Sequence, residues 1–164
     1  MSDTLHFRSP TTTDRDRYAV EALLPIAWIV DLDAYVSQMF DAKSDLSWYS
    51  ALDIVQMDAK QFEINGIKIW IWVMETTNPE SALQLKDSLL KATQETKDAR
   101  WVEYMLFCVI DILKEHNTTL VIWKEEEALL KNVFQVETNN CVADMWWRIS
   151  RKKQLAKQLV EYFG

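Results

Sequence analysis

The densest group of chemistry-bearing side chains in this sequence is Trp147-Arg148-Ile149-Ser150-Arg151-Lys152-Lys153. Four cations within six residues could hold a small anion, and a neighbouring tryptophan suits a nucleic-acid contact. The simpler reading is preferred: a solvated helix face whose cations, in the later turns of a helix over 141–163, suit the helix dipole. Asp53, Asp58 and Lys60 contain an Asp-x-Lys, which reads as a turn with a solvated lysine. His6 and His116 have no cysteine or histidine at metal-ligand spacing, so no zinc site is expected. No cofactor is assigned.

Ile29-Val30-Asp31-Leu32-Asp33-Ala34-Tyr35 is similar to the first motif of haloacid-dehalogenase-type phosphotransferases. It also resembles the metal-binding strand of lesion-bypass polymerases. The first resemblance implies Asp31 as nucleophile and Asp33 as general acid with magnesium between them. Tyr35 stands where that motif has a threonine, and no later apolar strand ends in paired acidic residues. Helical spacing also accounts for the stretch, with Asp31 on the wetter stripe. A magnesium-dependent phosphotransferase or hydrolase using Asp31 and Asp33 is therefore the alternative, not the main reading.

Glycine count narrows the chemistry further. The two glycines are Gly66, in a turn, and Gly164, the last residue. A phosphate cradle or dinucleotide fingerprint needs glycines where backbone approaches a ligand closely, so Walker and Rossmann functions are excluded. The net charge of −7 disfavours nucleic acid as a partner. It is uneven: from Cys141 onward five Lys/Arg face only Asp144 and Glu161, leaving −10 on the first 140 residues. Two cysteines, one inside an apolar run, suit a reducing compartment. No apolar stretch is long enough to span a bilayer, so a cytoplasmic location is expected.

The elements that must position these groups centre on Gln61–Glu75, where Asn65-Gly66 divides two alternating runs into a hairpin. Phe62, Ile64, Ile67, Ile69, Ile71 and Val73 share the core face. Trp70, Trp72 and Met74 share the other, which is either the second half of a two-sided core or an open apolar patch.

Residues 1–13 read as a flexible arm and 14–164 as one globular domain. Helical spacing runs from Leu24 to Phe40, with Pro25 as an interruption, and Ala51–Met57 reads as a short extended run. Asn78-Pro79 starts a helix, with a break expected at 93–98 and a second helical face over 101–113. Strands are expected near 120–123 and 133–137, and a last helix over 141–163.

The fold expected is α+β: a small, mainly antiparallel sheet, with a hairpin or meander around 52–76 and one or two strands in 119–137. Three to five helices pack against it. The element order resembles the small acidic chaperones of secretion systems. The function expected by subtraction is non-enzymatic protein binding, as an adaptor, inhibitor, immunity protein or small chaperone. Trp70, Trp72, Met74, Trp147 and Arg151 are the candidate contact residues. The partner expected is another protein, such as a basic one, or a second copy in a homodimer. An acidic mimic of DNA is a third reading.

Overall fold

The computed structural model describes residues 4–164; residues 1–3 of the expected arm lie outside the described residues. The architecture is α+β. Six strands run β1 (Ala59–Ile64), β2 (Ile67–Thr76), β3 (Tyr104–Asp111), β4 (His116–Leu120), β5 (Thr138–Asn139) and β6 (Val142–Trp146). Their order in the sheet is β1-β2-β3-β4-β6-β5. Every pairing is antiparallel except β2 with β3, which helices connect.

The hairpin forms in the register its pattern dictates. Ile64 faces Ile67, Glu63 faces Lys68 and Phe62 faces Ile69. Asn65 (φ 49°) and Gly66 (φ 81°) both take the left-handed conformation that a type I′ turn requires. Ile64, Ile69, Ile71 and Val73 are buried in one core with Leu106, Ile110, Leu155 and Leu159. Trp70, Trp72 and Met74 are buried in a second core with Phe107, Ile54, Ala82 and Leu89. The sheet is covered on both faces. Of the two readings of Trp70, Trp72 and Met74, the two-sided core holds and the open patch is corrected, and with it their role as contact residues: helices roof that side, and Trp72 stacks on Phe107 at 3.6 Å between ring centroids.

Seven α-helices surround the sheet among the described residues: α1 (Asp14–Ile26), α2 (Leu32–Ser44), α3 (Ala51–Gln56), α4 (Pro79–Gln84), α5 (Lys86–Arg100), α6 (Lys124–Leu129) and α7 (Lys157–Phe163). Two π-helical segments, Leu130–Phe134 and Arg151–Ala156, adjoin α6 and α7. Asn78 caps α4 through Ser81, with Pro79 in the first turn, as the sequence indicated.

Several local expectations are revised. Ala51–Gln56 is helical because Ser50 and Asp53 form a reciprocal capping box. The break expected at 93–98 does not occur: α5 continues to Arg100, and the buried hydroxyls of Thr93 and Thr96 are satisfied by donating to the carbonyls of Leu89 and Ala92. The helical face expected over 101–113 is strand β3, and the strand expected at 133–137 gives way to the π-helical segment ending at Phe134. The single helix expected over 141–163 is instead β6, a turn and a helical run from Arg151 to Phe163. No helix among the described residues is long and apolar enough to cross a membrane.

Candidate functional site

Strand β1 is one edge of the sheet, and Lys60 lies on it opposite Ile71 of β2. The helical run that begins at Arg151 abuts the same edge. Ser150 caps it: its hydroxyl accepts from the Lys153 amide at 3.3 Å, and its own amide donates to Gln154 Oε1 at 2.7 Å. Arg151 and Lys152 therefore occupy a first helical turn, whereas the sequence reading put them in late turns. The difference reverses the electrostatics. The positive end of the helix dipole disfavours cations by roughly 0.3–1 kcal/mol each and attracts anions.

Between these elements lies a cavity of about 450 Å³ lined by Lys43, Lys60, Arg151 and Lys152, with Asp58 and Glu75 as its acidic members. Phe62, Val73 and Ile149 form its apolar lining, and Leu5, Ser9 and Thr11 of the N-terminal segment border it. Lys43 pairs with Glu75 at 2.6 Å. Arg151 Nη1 donates to the Asp58 carbonyl at 2.5 Å, and Nη2 to the Asp58 carboxylate at 3.0 Å. A weaker bond from Nη1 reaches the Ile71 carbonyl at 3.3 Å. The guanidinium is thus fixed against the hairpin. Lys60 and Lys152 are exposed and have no ion-pair or hydrogen-bond partner among the described residues. Two unpaired ammonium groups beside an oriented guanidinium make a site for a compact, multiply charged anion.

The other members of the basic cluster point elsewhere. Lys153 donates to the Pro10 carbonyl at 2.5 Å. Arg148 is buried, donates to the Phe134 carbonyl at 3.1 Å, and lies 5.0 Å from the Trp147 ring; burial lowers its pKa. Trp147 is exposed but precedes the helical run that starts at Arg151, so the two do not share one helix face as a helix over 141–163 would place them. Sequence reasoning noticed both Asp58-x-Lys60 and the basic cluster, but nothing in the sequence joins positions some ninety residues apart.

Asp31 and Asp33 do not converge. Asp31 accepts from the Ala34 amide at 3.0 Å and caps α2, while Asp33 pairs with His6 at 3.1 Å. The magnesium role expected for the two carboxylates is corrected accordingly: one is a helix cap and the other an exposed surface partner. No group of three or more His, Cys, Asp or Glu side chains among the described residues could hold a metal ion.

The DHHA2 domain model matches residues 37–162. A protein of Deinococcus radiodurans named probable manganese-dependent inorganic pyrophosphatase is 44% identical over all of this chain and 54% of its own length. The manganese-dependent inorganic pyrophosphatase of Methanocaldococcus jannaschii is 30% identical over 97% of this chain and 51% of its own length. A crystal structure of a family II inorganic pyrophosphatase from Methanococcus jannaschii superposes with a TM-score of 0.88 at 28% identity, over 99% of this chain and 52% of that one. The chain spans about half the length of the curated relatives it matches. These relatives are named as enzymes, which overturns the expectation of a non-enzymatic binding module and, with it, the adaptor, chaperone and DNA-mimic readings; the hydrolase alternative stands closer, without its Asp31 and Asp33 assignment. On the strength of the match over 37–162, this chain belongs to the DHHA2 domain family.

Proposed function

We propose that this chain is the substrate-holding half of a manganese-dependent inorganic pyrophosphatase, binding pyrophosphate in the cavity between β1 and the Arg151 helical run. The carrying observation is the convergence of Lys60, Arg151 and Lys152 on that cavity, with two of the three cations unpaired. Pyrophosphate is small, anionic at both ends and rich in acceptor oxygens. Lys60 and Lys152 would neutralise it as point charges, and Arg151, already oriented by Asp58, would present its fork to the phosphate oxygens. In phosphoryl transfer the protein's contribution is mostly positioning and charge stabilisation, which is what these three residues can supply.

The manganese in the relatives' names does not fit here. The described residues offer no ligand set for it, and the acids nearest the cavity, Asp58 and Glu75, are engaged by Arg151 and Lys43. No step is assigned to a metal held by this chain.

Titration calorimetry of the chain with pyrophosphate, and with inorganic phosphate as the weaker comparison, tests the assignment. Lys60→Ala, Arg151→Ala and Lys152→Ala should each weaken pyrophosphate binding by about 10- to 100-fold, the range of a lost charge-assisted hydrogen bond. Wild-type affinity in all three variants would refute it.

A further inference from the structure

We propose that a second cavity, walled by Trp147 and by the outer face of the last helical run, binds a nucleoside monophosphate, with its base on the tryptophan and its phosphate on Lys153 and Lys157. This site is separate from the pyrophosphate assignment and stands without it.

The cavity measures about 600 Å³, within the range of roughly 300–1,000 Å³ where small-molecule sites fall. No residue lines both it and the cation cavity. Both π-helical segments contribute to its wall, the first through Val133 and the second through Lys153 and Gln154. Such segments are rare and collect at functional sites. From the second segment into α7, Lys153, Lys157 and Glu161 recur at four-residue steps, and Gln154 and Gln158 run beside them. Trp147 joins them from the turn before the helical run.

Trp147 is 56% exposed, yet its ring is held. Arg148, only 9% exposed and not part of the cavity wall, places its guanidinium 5.0 Å from the Trp147 ring and 5.5 Å from the Phe134 ring. Its Nη2 donates to the Phe134 carbonyl, while Nε and Nη1 have no hydrogen-bond partner among the described residues. Unsatisfied buried N–H groups are costly, and attraction to the aromatic faces is what offsets that cost here. A buried cation thus props a solvent-facing indole. A fixed aromatic face of this kind is what a nucleobase stacks on.

The polar groups choose the rest of the ligand. Gln154 Oε1 already accepts from the Ser150 amide at 2.7 Å, so its amide nitrogen is left to donate. Gln158 has no hydrogen-bond partner among the described residues, and offers both a donor and an acceptor to a base edge. Lys153 spends one of its three N–H groups on the Pro10 carbonyl. Lys157 meets Glu161 only at 3.8 Å, with both side chains largely exposed, a pairing weak enough for a phosphate to replace. Two ammonium groups match one phosphate monoester, which carries a charge of about −1.5 to −2 near neutral pH. Glu161 can accept from ribose hydroxyls. A free phosphate would leave Trp147 and both glutamines unused.

Titration calorimetry of the full chain with adenosine monophosphate, beside adenosine and ribose 5-phosphate, tests the site. The nucleotide should bind about tenfold or more tightly than either fragment, because each fragment lacks one of the two contacts. Trp147→Ala should weaken nucleotide binding by about 5- to 100-fold, and Trp147→Phe should restore part of the loss. Lys157→Ala should weaken it by about tenfold; that side chain is exposed, so the variant keeps its unfolding temperature and carries the test if Trp147→Ala folds poorly. Lys60→Ala should leave nucleotide binding unchanged, whatever it does to pyrophosphate. The proposal is overturned if the nucleotide fails to bind at millimolar concentration, or binds no more tightly than ribose 5-phosphate. Wild-type affinity in folded Trp147→Ala or in Lys157→Ala overturns it equally. So does loss of nucleotide binding in Lys60→Ala, since the phosphate would then be seated in the cation cavity.

Discussion

Arg151 holds both the backbone carbonyl and the carboxylate of Asp58, a residue 93 positions earlier in the chain. That contact joins the start of the last helical run to the start of the hairpin and holds the guanidinium at the cavity that Lys60 and Lys152 also line. It also means that Asp58 competes with any anion for the same cation.

Replacing the carboxylate while keeping a hydrogen-bond acceptor separates these two effects. Asp58→Asn should tighten pyrophosphate binding by about threefold to tenfold, because a unit charge roughly 4 Å from the anion is worth about 1 kcal/mol in water. The gain should shrink in high salt. Calorimetric titrations at two ionic strengths check this, and weaker binding in the variant would mean that orientation of Arg151 outweighs charge.

The Trp72 indole is buried against Phe107, and its Nε1–H has no partner among the described residues. Trp72→Ala should cost about 3–5 kcal/mol of unfolding free energy. Trp72→Phe should cost far less, because it keeps most of the ring and removes an unpartnered buried donor. Urea denaturation of the three proteins measures the difference, and equal losses would show that the indole nitrogen is not the weak point.

Glu126 is fully buried, and its carboxylate meets Lys97 and accepts from the Met105 amide at 3.0 Å. Burial, only partly offset by Lys97, raises its pKa above 4.5. The folded state then holds a proton that the unfolded state releases, so stability falls as pH rises from about 4.5 through the raised folded value, by at most about 1.4 kcal/mol per pH unit. Glu126→Gln removes the titrating group and should flatten that part of the profile. Urea midpoints collected across that pH range compare the slopes, and parallel profiles for the two proteins would count against the assignment.

The hairpin was legible from Asn65-Gly66 and its flanking alternation, because a turn needing two left-handed residues and a strict period of two fixes the register locally. The start of α4 at Asn78-Pro79 was equally local. Strand β3 was not legible: Tyr104–Asp111 is almost wholly buried, so neither face needs polar residues and the alternation that marks a strand is absent. The basic cluster was visible in the sequence, but its meaning depended on position. Whether Arg151 and Lys152 fall in a first or a last helical turn decides whether the helix dipole repels or favours them.

What the sequence by itself determined was therefore the hairpin, the caps, the two apolar stripes of the sheet and the scarcity of glycine. What only the tertiary structure decided was that Lys60 on an edge strand and Arg151 at a helix start share one cavity. That meeting arises because the sheet edge, the Ser150 cap and the Asp58 contact bring distant segments together, and no local pattern of residues encodes a distance between segments so far apart.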